Sequence, residues 1–410
     1  MYEKFIYQNE TIRNTFTKVD VEEISKEKAF TIILDQALQF EKRYKVTIPY
    51  ETILTVIDKS YYYITTIPFP EKALQLLDWA CVYTIQTVKR EIITPELIDA
   101  VISARTNVPT TLSDEVRQKL LHMEELLQQS ILGQNHAIKE VAATIRRSFL
   151  LIGKRKKPIA SFLFLGPTGV GKTETAKVIS NVFFGSDTQM LRFDMSLYQT
   201  KQDIAKLIGS VETLNPGLLT NEIRENPYAV LLIDEIEKAN NDLLNIFLTI
   251  LDEGYFTDGY GQRVDCKNLI IIATSNAGAQ EMQQLLIKQA LQDNETAATD
   301  FVMNFLIEKG LFSPEFLNRF DGIIAYKPLG NDSAFTLAKQ IVENINNEIY
   351  SMHKIHIQVS DNTIKDLINK GYNAQFGVRN LERVMRQHLE DKVAKMVLEG
   401  KTQPEQVVQL

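Results

Sequence analysis

Cysteine, tryptophan and histidine are scarce: the 410 residues include 2 Cys, 1 Trp and 5 His. Cys81 and Cys266 stand far apart with apolar neighbours, which argues against a disulfide framework or a thiolate metal site and fits a reducing cytoplasm. The one close histidine pair, His353 and His356 in HKIHIQV, reads as the flank of a strand rather than a metal site. No run approaches the length of a membrane span, and MYEKFIYQNE has charges where a signal peptide needs an apolar stretch. A basic excess is missing too. With 45 Lys and Arg against 52 Asp and Glu, the net charge of −7 is opposite to a nucleic-acid footprint. These absences predict a soluble, cytoplasmic protein whose partners are nucleotides or other proteins.

A hydrophobic content of 44% is enough for sizeable cores, and the length favours two or three domains. Residues 17–110 contain no glycine, and EKAFTIILDQALQFEKRY, PYETILTVIDKSYYYI and PEKALQLLDWACVYTIQTVK carry apolar residues at helical spacing. A further helix is expected over 113–129, capped by Ser113, and another to about 152 after the turn ILGQ. The run from Lys154 to Lys157 reads as a solvated loop. Beyond it the short apolar runs ASFLFLG, AVLLIDE and NLIIIATSN alternate with helical segments. Strands buried on both faces lose their polar alternation, so this pattern predicts an α/β fold with a parallel sheet flanked by helices. From about 331 the chain is helical again, with β-like runs at KIHIQVS and QVVQL. The expected division is a tail over 1–16, an all-helical subdomain over 17–112, the α/β domain over 113–329, and a small helical and strand subdomain over 330–410.

The chemistry starts at GPTGVGKT, which comprises Gly166, Pro167, Thr168, Gly169, Val170, Gly171, Lys172 and Thr173. It follows the strand FLFL and opens the helix KTETAKVIS, the context in which such a loop wraps phosphates with inward N–H groups. Lys172 adds a point charge near the β and γ phosphates, and the Thr173 hydroxyl is placed to hold Mg²⁺. Asp234 and Glu235 end the run AVLLI. Alone, such a pair often just caps the next helix; beside a phosphate loop, at the carboxyl edge of a parallel sheet, it is specific. Asp234 is then expected in the Mg²⁺ shell, partly through water, and Glu235 as the group that polarises the attacking water.

GPTGVGKTETAK, VLLIDEIEKA, ATSNAG, LFSPEFLNRFD and FGVRNLER, in this order, resemble the second ATPase domain of the Clp AAA+ unfoldases. KVTIPYETILTVIDKSYYYI and FPEKALQLLDWA are similar to the small helical subdomain that ends the first ATPase domain of those proteins. The resemblance implies an AAA+ P-loop NTPase corresponding to a C-terminal portion, either an excised piece or a natural chain without the first domain. It implies that Asn276 helps place the attacking water, although an Asn ending a strand can also simply satisfy backbone groups. It makes Arg319 an arginine finger reaching a neighbouring subunit, with pairing to Asp321 or Glu315 as the alternative. Arg379 becomes the small-domain nucleotide sensor, and Ile131 and Leu132 the edge of the adenine pocket. ATP and Mg²⁺, a homo-oligomeric ring of hexamer type and a protein client follow from the same resemblance.

Two departures qualify it. Where the family carries a Gly-aromatic-Val-Gly channel loop, this chain has the shorter SVETLNPG, with Leu214 the only bulky apolar residue. It is either a lost grip or a simple turn at Asn215, Pro216 and Gly217. A compensating grip is expected from Tyr260, and less from Tyr255, in DEGYFTDGYGQRVD, with Phe256 in the core. The apolar-Gly-Phe tripeptide used for peptidase docking is absent from GAQEMQQLLIKQALQDNETAATDF, so docking by that mode is not expected. The competing reading is a nucleotide-dependent ring scaffold or switch that threads nothing. A nucleic-acid motor would need a basic face and is disfavoured.

Overall fold

The computed structural model describes residues 21–65, 67–106, 114–150, 156–213, 215–279, 295–372, 377–399 and 407–409, with Thr15, Val19 and Glu281 as isolated positions. The expected tail over 1–16 and the Ser113 cap lie almost wholly outside these residues. Among the described residues, the part from 21 to 106 holds four α-helices: α1 (Lys26–Tyr44), α2 (Tyr50–Tyr63), α3 (Glu71–Tyr83) and α4 (Pro95–Thr106). Ser25 caps α1, whose Ala29, Ile33 and Ala37 recur every four residues and are buried. A π turn, Thr84–Val88, prolongs α3 and ends at Lys89 in the left-handed conformation.

The helix expected over 113–129 is two, α5 (Asp114–Leu121) and α6 (Met123–Ser130), separated at His122. The buried Val116, Leu120, Met123 and Leu127 keep helical spacing across the break, so nothing in the pattern signals it. After α7 (Asn135–Phe149) comes the sheet: β1 (Ala160–Leu165), β2 (Met190–Asp194), β3 (Val230–Asp234), β6 (Ile270–Ser275) and β7 (Gly322–Ala325), in the order β2-β3-β6-β1-β7. All four pairings are parallel. β1, β3 and β6 are buried at every position and are the strands legible as apolar runs. β2 and β7 are edges with partly exposed positions, and their mixed composition hid them.

Register lines up the strand ends. Leu165 pairs with Ser275 and with Ala325, and Asp194 pairs with Asp234, so the residues following them share one edge. Crossover and flanking helices are α8 (Lys172–Phe184), α9 (Lys201–Ile208), α10 (Leu218–Glu225), α11 (Asn241–Glu253), α12 (Glu295–Glu308) and α13 (Pro314–Leu317). The hairpin β4 (Tyr255–Thr257) and β5 (Arg263–Asp265) follows α11.

One apolar cluster covers one face of the sheet and continues into the four N-terminal helices, and a second covers the other face. The Tyr228 hydroxyl donates to the Tyr63 carbonyl, and the Asn268 amide donates to the Tyr62 carbonyl at 3.4 Å, tying helices and sheet together. The last part has its own core, formed by α14 (Asn331–His353), α15 (Asp361–Gly371) and α16 (Gly377–Leu398). The two β-like runs there pair as parallel strands, β8 (His356–Gln358) and β9 (Val407–Gln409).

Candidate active site

Between β1 and α8 the chain turns through Gly166, Gly169 and Gly171, all with positive φ. At Gly166 a Cβ would lie 2.4 Å from the Tyr326 carbonyl oxygen, so only glycine lets the loop leave the sheet here. Gly171 occupies the N-cap of α8 and offers no side chain to its first N–H groups, which leaves them for an anion. The loop lines a cavity of about 850 Å³, within the range of small-molecule sites. Thr168, Gly169, Val170, Gly171, Lys172 and Thr173 face it; Gly166 and Pro167 lie just behind, accepting from Lys172 Nζ through their carbonyls.

Lys172 is buried, and that burial pulls its ammonium down to about 8 despite Glu237, Asp234 and Glu235, which favour the charged form. Its Nζ also donates to Asn276 Oδ1 at 2.7 Å and to the Ser275 carbonyl at 3.3 Å. The strand register places Asp234 and Asn276 beside it. Thr274 donates its hydroxyl to Asp234 Oδ1 at 2.9 Å, and Arg192 Nε donates to Oδ2 at 2.6 Å, so both carboxylate oxygens are held. Glu235 is one of the few non-glycine residues with positive φ, at 53°, a conformation that costs free energy and recurs at functional turns. Its Oε1 accepts from Asn276 Nδ2 at 3.2 Å. Asn276 therefore bridges the lysine and the second acid. A cation takes its oxygen and a carboxylate its nitrogen, which leaves a single amide orientation.

This donor set fits a nucleoside triphosphate with Mg²⁺. Thr173 and Asp234 line the same cavity, and no cluster of three or more His, Cys, Asp or Glu among the described residues forms a metal cage. Mg²⁺ is commonly held by one or two protein oxygens together with phosphates and water. Ile131 and Leu132 form part of the wall, and Arg379, at the start of α16, lines it from the C-terminal subdomain. All but three of the residues expected to act on nucleotide thus meet at one cavity, Gly166 and Pro167 lying behind it.

The third is Arg319. It lies outside the cavity, with Nη1 3.3 Å from Asp252 and Nη2 3.6 Å from Glu315. One of the anticipated surface partners, Glu315, is present; Asp252, at the end of α11, was not anticipated. Gln134 was missed as well. Its buried amide donates to the carbonyls of Lys327 at 2.7 Å and Val170 at 3.3 Å and accepts from the Lys327 N–H at 3.1 Å. It thereby links the phosphate loop to the junction with α14. A polar residue in an otherwise apolar turn was its one sequence signal. Arg192 and Thr274 escaped notice because they lie inside strands, where only pairing shows what they face.

The stretch at 210–217 is a closed turn. Ser210 and Asn215 exchange backbone hydrogen bonds of 2.8 and 3.1 Å, and Asn215 Oδ1 accepts from the Gly217 N–H at 3.0 Å. Leu214 lies outside the described residues. The turn rests on the β4-β5 hairpin: the Gly259 N–H donates to the Ile208 carbonyl at 3.0 Å, and a Cβ on Gly259 would stand 1.9 Å from Gly209 O. Tyr260 is half-buried, Phe256 is in the core, and the Arg263 guanidinium covers the Tyr255 ring at 3.8 Å.

Three family models match adjoining parts of the chain. They are an AAA lid domain over 25–128, an AAA domain (Cdc48 subfamily) over 157–323, and the C-terminal, D2-small domain of ClpB protein over 329–410. The ATP-dependent Clp protease ATP-binding subunit ClpE of Streptococcus pneumoniae is 38% identical over 314 residues, 75% of this chain and 41% of its own length. The chaperone protein ClpB of Vibrio vulnificus is 36% identical over 349 residues, 84% of this chain and 40% of its own. The chain therefore spans about two fifths of the length of these relatives. In structure it is similar to closed-state Hsp104 with ATPyS and FITC casein, at a TM-score of 0.82 and 29% identity over 100% of this chain and 70% of the other. The extended conformation of the S. cerevisiae Hsp104:casein complex gives 0.81 at 28% identity, covering 99% and 70%. The ordered blocks, the phosphate-loop site and these matches together place the chain in the Clp family of AAA+ proteins, as a C-terminal portion.

Proposed function

We propose that this chain is an Mg²⁺-dependent ATPase module of a protein-remodelling machine, acting in the cytoplasm as a homo-oligomeric ring of six copies on protein clients. The observation that carries the reading is the Asn276 bridge, which holds the Glu235 carboxylate at the edge of a phosphate cavity while binding Lys172. In this reading Gly166 to Thr173 wrap the phosphates with backbone N–H groups, and Lys172 neutralises their charge. Thr173 and Asp234 hold Mg²⁺, which supplies electrostatic stabilisation of the transferring phosphoryl group. Glu235 accepts the proton of the attacking water, and Asn276 fixes its carboxylate in position. Ile131 and Leu132 hold the adenine, and Arg379 couples nucleotide to the C-terminal subdomain. The division at 17–112, 113–329 and 330–410 follows the same reading.

Arg319 serves the neighbouring subunit's nucleotide, so activity requires assembly. The test is specific ATPase rate against protein concentration, with Arg319→Ala and Glu235→Gln alongside. The rate should rise steeply with concentration in the parent and stay flat in Arg319→Ala. Glu235→Gln should bind nucleotide but turn over about 10²- to 10⁴-fold more slowly. A flat parental rate unaffected by Arg319→Ala would overturn the assembly requirement. The scaffold reading is less favoured, because a ring that only closes on nucleotide does not need a strained Glu235 oriented by Asn276. Peptidase docking and nucleic-acid binding are not part of the proposal.

A further inference from the structure

Glu237 lies two residues beyond Glu235, in the 3-10 turn Ile236–Lys238 that links β3 to α11. The buried Ile236 anchors this turn in the core. The carboxylate has one hydrogen bond, from the Asn276 backbone N–H to Oε1 at 3.2 Å. Its other oxygen, Oε2, is buried and has no hydrogen-bond partner among the described residues. A carboxylate placed in this way is unfavourable, and an apolar side chain of similar size would remove the cost. Two interactions answer that cost: attraction to the buried Lys172 ammonium, and the Asn276 N–H. The second is specific in geometry, because Asn276 begins where β6 ends and its side chain holds both Lys172 and Glu235.

We propose that Glu237 is a positioning residue for hydrolysis: by accepting the Asn276 N–H it fixes the end of β6, and with it the amide that orients Glu235. The proposal rests on the reading of Glu235 and Asn276 as the hydrolytic pair. Four contacts then hold Asn276: Glu237 at its backbone N–H, the Ala279 N–H on its carbonyl at 3.3 Å, and one at each end of its amide. Glu237 is not among the residues that line the nucleotide cavity, so it does not touch nucleotide. Its charge also acts on Lys172, and Glu237→Gln, which removes the charge and keeps an acceptor, separates that effect from the hydrogen bond.

The test compares Glu237→Met, which keeps size and removes the acceptor, with Glu237→Gln, which keeps an acceptor. Steady-state ATPase, affinity for a fluorescent ADP and melting temperature are measured on the full chain. Glu237→Met should lower kcat about 10- to 100-fold, the range typical of groups that orient a catalytic shell. KM and ADP affinity should hold, and the melting temperature should hold or rise. Glu237→Gln should stay close to the parent. An unchanged kcat in Glu237→Met overturns the proposal, as does a loss accompanied by a lower melting temperature or matched by Glu237→Gln. Glu237→Ala serves as a second variant without the acceptor. In an Asn276→Ala background Glu237→Met should cost nothing further, and losses that multiply overturn the proposal. Failure of the underlying reading shows separately, as an Asn276→Ala or Glu235→Gln protein with undiminished turnover.

Discussion

Gly166 is where a single side-chain atom decides whether the phosphate loop forms. Its φ of 138° and the carbonyl of Tyr326 at 2.4 Å from a would-be Cβ leave no room for alanine. Gly166→Ala should destabilise the protein by more than about 1 kcal/mol, the scale of a glycine replaced where its conformation is required. It should also abolish nucleotide binding. Urea unfolding and fluorescent-nucleotide titration check both, and retained stability would mean that the loop can shift away from Tyr326. The residues of this loop were legible because their types and spacing are set by local backbone needs. Gln134, Arg192 and Glu237 were not, because their partners lie 36 to 193 positions away.

Among elements, the β4-β5 hairpin and the short turn on it behave as one unit held by Asp258. That carboxylate is 1% exposed; it accepts from the Tyr260 and Gln262 N–H groups at 2.9 and 2.8 Å and from Arg224 at 2.8 Å. Removing it leaves partly buried donors without their acceptor, so Asp258→Ala should cost about 1 kcal/mol. Hydrogen exchange should accelerate at Tyr260 and Gln262 while β1, β3 and β6 keep their protection. Unchanged exchange in the hairpin would show that its glycine contacts suffice. A rigid hairpin bears on how Tyr260 could meet a client, since a half-buried ring on a fixed turn offers one face instead of a sweeping paddle.

For the whole molecule, the shared apolar cluster predicts that the N-terminal helices and the sheet unfold together. The two thiols report this directly. Cys81 lies in α3 and Cys266 beside β5; both are buried, and burial raises the first to about 12 and the second well above its ordinary value. Neither should react with a thiol reagent at neutral pH in the folded protein, because the thiolate is the reactive form. Across a urea titration both should become reactive at the same midpoint. Labelling of Cys81 at a lower urea concentration than Cys266 would show that the helical region is an independent unit.

The sequence by itself determined the parallel sheet's buried strands, the phosphate loop and the two acids after β3, because each is set by a short run of neighbouring residues. Burial on both faces writes a continuous apolar run, and close backbone wrapping demands glycine at particular steps. Only the tertiary structure decided that Arg192 and Thr274 meet Asp234, and that Asn276, expected to help place the attacking water from the resemblance, bonds Glu235 and is itself held by Glu237. Only it resolved the stretch at 210–217 as a closed turn seated on a hairpin more than forty residues later. Such pairings depend on strand register and loop closure between distant segments, which no local pattern of residues encodes.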